Sequence, residues 1–432
     1  MISKIKNTLY GVYKPISDRY RDICRSGALG RKRQIRAYIG KPEPGAERKT
    51  DQWDEFIEGI ISEYKGIRVW ENAVAGRIGE YLVRFRQLAL YAKELDDGYL
   101  NVEYDSNYDK GNNALTTIMD RTIPVIFRGN RAKWDYVLNR VPSVDWSHFG
   151  PIEKDGSNLY LFKDCKDLLA LTEEETLICQ KRMRDMDLTE PYVCFSSRDS
   201  RYLKTLLPWK NNSYHDYRDS SIENKALMID YLASKGIRSV RMGKDMDHRF
   251  VHNGSIDFSF DHYDDLMDIY LHEHAKFVVE DMNGLIEIPM TNNGNIVVTN
   301  LTPLSDDWSA EVRPQNGIAI FKKEYSHRLG RLLSLDEMLE AEAVARYNGR
   351  KYDEMGIEMI ENTPEEILDA TIEMNERMDG IWVETEEDIE LQKAFDDFKK
   401  RMMKKLDYTE LQVFSVKVGT MFLKKNKDTF GI

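Results

Sequence analysis

Residues 277–290 read FVVEDMNGLIEIPM, and this stretch decides the fold. Phe277, Val278 and Val279 are bulky, apolar and β-prone, so they predict a short buried strand. Glu280, Asp281, Asn283 and Gly284 follow as turn formers. Leu285, Ile286 and Ile288 resume the apolar pattern before Pro289, as a helix start does. The stretch therefore reads strand, tight turn, helix. Upstream, DDLMDIYLHEHA (264–275) has helical spacing and IRSVRMG (237–243) reads as a strand. Ser220 to Lys235 reads as a helix, opened by a capping box from Ser220 to Glu223 and closed by Gly236. PYVCFS (191–196) and NIVVTN (295–300) are further strands. Strands alternating with helices predict an open, parallel α/β sheet.

The surroundings fit a protein of more than one domain. The chain has 432 residues, too many for one ordinary domain and about right for two. The regular alternation begins near 188, so the expected units are 42–187 and 188–330, both α/β. From 331 the chain reads as helical and is expected to pack back across both. LSLDEML carries a capping box from Ser334 to Glu337. TPEEILDATIEMNERM carries one from Thr363 to Glu366, with Pro364 at the first helical position. In the first half, YLVRFRQLALYAKEL (81–95) is helical, while TIPVIF (122–127) and NLYLF (158–162) are apolar runs.

Composition narrows the function classes. A net charge of -12 argues against general nucleic-acid binding, which needs basic surface. The four cysteines include no CxxC pair, so a zinc ribbon or redox dithiol is not expected. No apolar run reaches the roughly 18 residues of a transmembrane helix, and the N-terminus lacks a secretory signal, so a cytoplasmic protein is expected. Residues 1–41 depart from the average, with eleven Lys/Arg against two acids. This basic amphipathic segment either rests on an anionic membrane surface or packs on its own domain with a solvated basic face.

Ligands of open α/β sheets bind beyond the C-terminal strand ends. Three such ends carry polar residues: FSSRDSRYLK with Arg198 and Asp199, VRMGKDMDHR with Arg241, Gly243 and Lys244, and EDMNG with Asp281, Asn283 and Gly284. The helix start at 283–287, which includes Glu287, would offer backbone N–H groups to a phosphate. Arg198 would add a fork of donors, and Gly284 a close backbone approach. LHEHA (271–275) is not a zinc helix, because His272 and His274 are two apart rather than four. The DMD of 245–247 could hold a divalent ion on a diphosphate, or simply be a solvated loop. Glu80, in AVAGRIGEYL (73–82), could be a base toward an acceptor hydroxyl or a capping carboxylate.

PYVCFSSRDSRYL, then HDYRDSSIENKALMIDYLASKGIRSVRMGK (215–244), then DIYLHEHAKFVVEDMNGLIEIP (268–289) resemble a family of glycosyltransferases encoded in bacterial surface-polysaccharide clusters. The LSLDEML helix and the tail MFLKKNKDTF (421–430) extend the likeness. The resemblance implies a GT-B architecture, two Rossmann-like domains facing a cleft, with acceptor on the N-terminal one and donor on the C-terminal one. It implies that Arg198, Arg241, Lys244, Asn283 and Gly284 neighbour a nucleotide diphosphate sugar donor, with no tightly bound cofactor or metal. The acceptor would be a glycan or a lipid-linked glycan. Arg198 and the 283–287 helix start would hold the diphosphate, with Lys244 assisting and Glu80 or Asp199 as base. Asp281 would face sugar hydroxyls or ribose. Asn283-Gly284 stands where similar enzymes have serine-glycine, and Glu80 where a histidine often follows the glycine turn. These departures keep open a degenerate scaffold of the same shape, and the shared two-domain shape keeps open a pyruvyl transferase acting on polysaccharide.

Overall fold

The computed structural model describes residues 168–304 except 293, 317–406 except 346 and 347, and 416–432, with 76–95, 111–122 and four two-residue strands upstream. The basic segment 1–41, apart from the pairing of Ala37–Tyr38, lies outside the described residues, as do NLYLF and all of TIPVIF between its end residues. In the first half, Ala37–Tyr38 pairs in parallel with Phe127–Arg128, and Val69–Trp70 with Leu100–Asn101.

The second half is built on a seven-stranded sheet. Its strands are β1 (Tyr192–Ser196), β2 (Arg238–Arg241), β3 (Ser255–Asp257), β4 (Phe277–Asp281), β5 (Ile296–Leu301), β6 (Gly317–Phe321) and, from the chain's end, β10 (Lys417–Val418). All neighbouring pairs are parallel. Every residue of β1, β4 and β5 is buried, as near-continuous apolar strands covered on both faces must be. The order across the sheet is β10-β6-β5-β4-β1-β2-β3. The chain starts in the middle, winds out through β2 and β3, returns, and winds the other way from β4. The direction reverses between β1 and β4, where such sheets open a crevice at their C-terminal edge.

Helices cover both faces. Upstream come α1 (Ile78–Leu95), α2 (Asn113–Thr122) and α3 (Glu173–Asp185). The short α4 (Arg201–Leu206) follows β1, and α5 (Ala226–Ser234) leads into β2. The helix expected from Ser220 starts later: Ser221, not Ser220, accepts the Glu223 N–H, over a 3-10 turn at Ile222–Lys225. The Ser220 hydroxyl is instead donated to the buried Asp281 carboxylate, a tertiary contact that outweighs the local cap. Then come α6 (Asp265–His274) and, after a 3-10 turn at Gly284–Ile286, α7 (Glu287–Thr291). FVVEDMNGLIEIPM is thus strand, turn and helix, as read.

The region after 331 is mostly but not wholly helical. A small antiparallel sheet joins β7 (Lys323–Ser326), β8 (Arg331–Leu332) and β9 (Ile357–Ile360). The helices are α8 (Leu335–Glu340), α9 (Gly349–Met355), α10 (Pro364–Met378), α11 (Glu386–Leu406) and α12 (Thr420–Phe430). Both capping boxes form, from Ser334 to Glu337 and from Thr363 to Glu366. The tail is held by aromatic packing: Phe321 of β6 has the rings of Phe395, Phe422 and Phe430 at 5.7, 4.9 and 5.1 Å. Each such pair contributes about 0.5–1.5 kcal/mol beyond its buried area. This packing brings β10 to the sheet edge, where Lys417 pairs with Ile318.

From the first half, α1 buries Tyr81, Leu82, Phe85, Leu88 and Ala89 along one face, against a core shared with Ile269 of α6 and Ile288 of α7. The described residues are a mixed α/β structure, a parallel sheet flanked by helices and compatible with a Rossmann-like unit. No helix among them is long and apolar enough to cross a membrane.

Candidate functional site

The C-terminal sheet edge carries a cavity of about 590 Å³. It is framed by the loop after β1 and α4, by the 219–223 turn, and by the loop after β2. Ser197, Ser200, Thr205, Ser220 and Ser221 supply hydroxyls; Arg201, Lys204 and Arg241 supply positive charge; Asp199, Asp219, Glu223 and Asp247 supply carboxylates.

Two copies of one tripeptide build its floor. Arg-Asp-Ser occurs at 198–200 and again at 218–220. The Arg198 guanidinium pairs with Asp219 of the second copy and also donates to the His215 carbonyl at 3.1 Å. The Ser220 N–H donates to the Arg198 carbonyl at 3.0 Å. Burial pushes Asp219 up to about 6 despite the Arg198 charge beside it. Asp281 ties both tripeptides to the sheet from below. One carboxylate oxygen accepts from the Arg198 N–H at 3.2 Å and from the Ser220 hydroxyl. The other accepts from Lys225 Nζ at 3.3 Å, Thr299 Oγ1 at 2.5 Å and Asn300 Nδ2 at 3.1 Å. Burial works against this carboxylate, but the Lys225 charge and the surrounding donors outweigh it and hold Asp281 below the usual range.

The sequence candidates therefore fall in different places. Asp199 and Arg241 line the cavity. Asp199 accepts the Arg201 N–H at 2.9 Å and the Asp247 N–H at 3.2 Å, while Arg241 is buried against Asp257 at 3.2 Å. Gly243 shapes the next loop: its φ of +136° suits glycine, and a Cβ there would meet Met246 Sδ at 2.5 Å. Arg198 is buried, with Asp219 rather than Asp199 as its carboxylate, and Asp281 is fully enclosed as the knot just described.

Lys244 turns away from the cavity and donates to the Gly111 carbonyl at 2.8 Å and to Asp265 at 3.3 Å, tethering the start of α2 to α6. Asn283 bridges the switch point, donating to Ser196 Oγ at 2.8 Å and accepting the Leu285 N–H at 2.8 Å. Gly284 faces protein backbone: a Cβ on it would stand 2.9 Å from the Gly79 nitrogen. Glu287 is paired with the buried Arg86 at 3.1 Å. Glu80 is exposed in the first turn of α1, paired with Arg77 at 2.9 Å. The 283–287 turn thus receives α1 where a phosphate was expected.

The DMD loop enters the wall through Met246 and Asp247, and His248 beside it contacts Glu223 at 2.8 Å. His272 of LHEHA is buried against Glu280 at 2.9 Å. Among the described residues no group of His, Cys, Asp and Glu gathers that could hold a metal ion. Arg201, Lys204, the 219–223 turn and His248 were not singled out as site residues by sequence reasoning. The signal that could have found the turn is the repeated Arg-Asp-Ser, which pairs with itself across the cavity floor.

Compared with known proteins, the chain matches no family model and no curated sequence.

Proposed function

We propose that the chain is a glycosyltransferase of GT-B architecture, moving a sugar from a nucleotide diphosphate donor to a glycan or lipid-linked acceptor. The observation that carries this reading is the position of the cavity. It opens at the C-terminal ends of β1 and β2, beside the point where strand order reverses, and it mixes hydroxyls, carboxylates and cations. Nucleotides bind at such edges. A volume near 590 Å³ suits a ligand of that class.

In this reading Arg201 and Lys204 face the diphosphate. Arg201 is held only loosely, 3.8 Å from Asp247, and Lys204 has no ion pair among the described residues. Their charge would stabilise the leaving diphosphate. Glu223 and the serine hydroxyls would accept and donate to ribose or sugar hydroxyls. Asp199, already in the cavity, is the better-placed candidate base; Glu80 would serve only from across the cleft. Arg198 and Asp281 hold the floor in shape instead of touching the donor.

A thermal-shift panel of UDP, GDP, ADP, TDP, CMP and phosphoenolpyruvate, with and without magnesium, tests this. A ligand at a hundred times its Kd adds about 2.7 kcal/mol to stability. One nucleoside diphosphate should raise Tm, and Lys204→Ala should reduce the shift without altering the unliganded Tm. Silence from every nucleotide, with the protein folded, would sink the reading. A response to phosphoenolpyruvate alone would replace it with pyruvyl transfer.

A further inference from the structure

The loop after β2 turns sharply at Gly243 and Asp245, whose φ angles are +136° and +53°. The turn delivers Asp247 and His248 to the cavity wall, where Arg201 of α4 also stands. The backbone of this pair is pinned. The Asp247 N–H is donated to Asp199 at 3.2 Å, and the His248 carbonyl accepts from Arg241 at 2.7 Å. The Asp247 carboxylate is held less firmly. One oxygen lies 3.8 Å from Arg201 Nη1, and the other lies 3.7 Å from His248 Nδ1. Both separations allow charge attraction, and both exceed hydrogen-bond length. The side chains of Arg201, Asp247 and His248 are 55, 66 and 53% exposed, and exposed pairs of this kind hold weakly. The other imidazole nitrogen, Nε2, is anchored on Glu223 at 2.8 Å. That hydrogen bond raises His248 above its ordinary range, against slight burial and the Arg241 charge, and Asp247 adds to the rise.

A carboxylate that stands between two cationic donors and hydrogen-bonds to neither holds the place of a better anion. A diphosphate carries more charge and more acceptor oxygens, so it can meet both donors at hydrogen-bond length. Lys204, one turn along α4 from Arg201, lines the same cavity. Resting on the transferase reading, we propose that Arg201 and His248 grip the donor's diphosphate, and that Asp247 is the internal carboxylate the diphosphate displaces from between them. Glu223 keeps the imidazole oriented, and Asp199 keeps the Asp247 backbone in place while its side chain swings to solvent. The DMD loop then acts through competition with an anion, the opposite of a metal-holding role.

Calorimetric titration of UDP, GDP, ADP, TDP and inorganic pyrophosphate into the full chain tests this, with and without magnesium. Asp247→Asn keeps the backbone contact to Asp199 and should tighten binding about two- to fivefold, the worth of one exposed ion pair. The gain should vanish in the Arg201→Ala, His248→Gln double variant. A gain that persists there is general charge repulsion and overturns the displacement. Affinity should fall about five- to tenfold as pH rises and His248 loses its proton. Asp219 lines the same cavity and titrates at about 6, and so does the last ionisation of a phosphate, at about 6. The series therefore runs upward from about pH 7, where both are largely ionised. His248→Gln should remove the fall, and His248→Arg should keep binding tight throughout. A fall that survives His248→Gln overturns the proposal, as does an affinity indifferent to Asp247→Asn. So does magnesium-dependent binding lost in Asp247→Asn, which would make Asp247 a metal ligand. If pyrophosphate shows the full pattern and no nucleotide binds, the diphosphate grip stands and the donor reading falls. If a nucleotide binds without the pattern, the donor reading stands and the grip falls. If nothing binds, both fall.

Discussion

Gly79 and Gly284 meet backbone to backbone. A Cβ on Gly79 would lie 2.8 Å from the Gly284 Cα, and one on Gly284 would lie 2.9 Å from the Gly79 nitrogen. Neither obstacle is the flexible end of a side chain, so an added methyl must push α1 off the switch-point turn. Gly79→Ala and Gly284→Ala should each cost about 1–3 kcal/mol, the usual range for overpacking. The expected readout is a lower Tm together with faster proteolysis within 76–95. A Tm unchanged in both variants would show that this contact yields freely.

Asp281 and Lys225 form a buried pair at 3.3 Å, with the carboxylate also holding both Arg-Asp-Ser turns. Removing one partner leaves the other charge uncompensated, at a cost of about 3–5 kcal/mol. Asp281→Asn and Lys225→Met should therefore lower the urea midpoint sharply. If Asp281 instead contacted sugar or ribose, Asp281→Asn would weaken nucleotide binding while leaving the urea midpoint in place.

Local patterns carried much of the fold, and contacts between distant residues carried the rest. The strand at 277–281 and the boxes at Ser334 and Thr363 were legible because each is set within a few residues. The cap at Ser220 was misread because Asp281 competes for its hydroxyl. Lys417–Val418 was invisible as a strand, since a pairing of two residues leaves no periodicity. Arg198 was legible as a residue at the sheet edge, but its partner Asp219 was not. Gly284 was read as room for a ligand because one sequence position cannot reveal the glycine that meets it. The polar strand ends were found; which of them open to a cavity depends on how loops fold over one another.

Glu324 on β7 is 2% exposed, and its Oε2 has no hydrogen-bond partner. Burial alone pushes it up to about 8. A carboxyl raised in the folded state binds its proton there more tightly than in the unfolded chain. Its contribution to stability is then fully present below about 4.5 and is lost as pH rises toward 8. Glu324→Gln removes the charge that folding disfavours. It should raise Tm at pH 8 relative to the parent and flatten the decline above pH 5. An unchanged Tm–pH curve would count against this.

His272 gives a second window with the same sign and a different cause. Burial favours loss of its proton, but the Glu280 carboxylate at 2.9 Å and the charge of Asp268 outweigh burial and push it up to about 9. The ion pair with Glu280 therefore stabilises fully below pH 6.5 and is lost as pH rises through 9. Asp268, pushed up to about 6 by burial, titrates below this window. Glu324 overlaps it, so the measurement belongs in the Glu324→Gln background. There a decline between pH 6.5 and 9 should persist, and adding His272→Gln should abolish it. The same change should lower stability at pH 6 by roughly 3 kcal/mol, because Glu280 is left buried without its cation. If the decline survives His272→Gln, another group titrates in that range and the Glu280 contact is not what holds the proton.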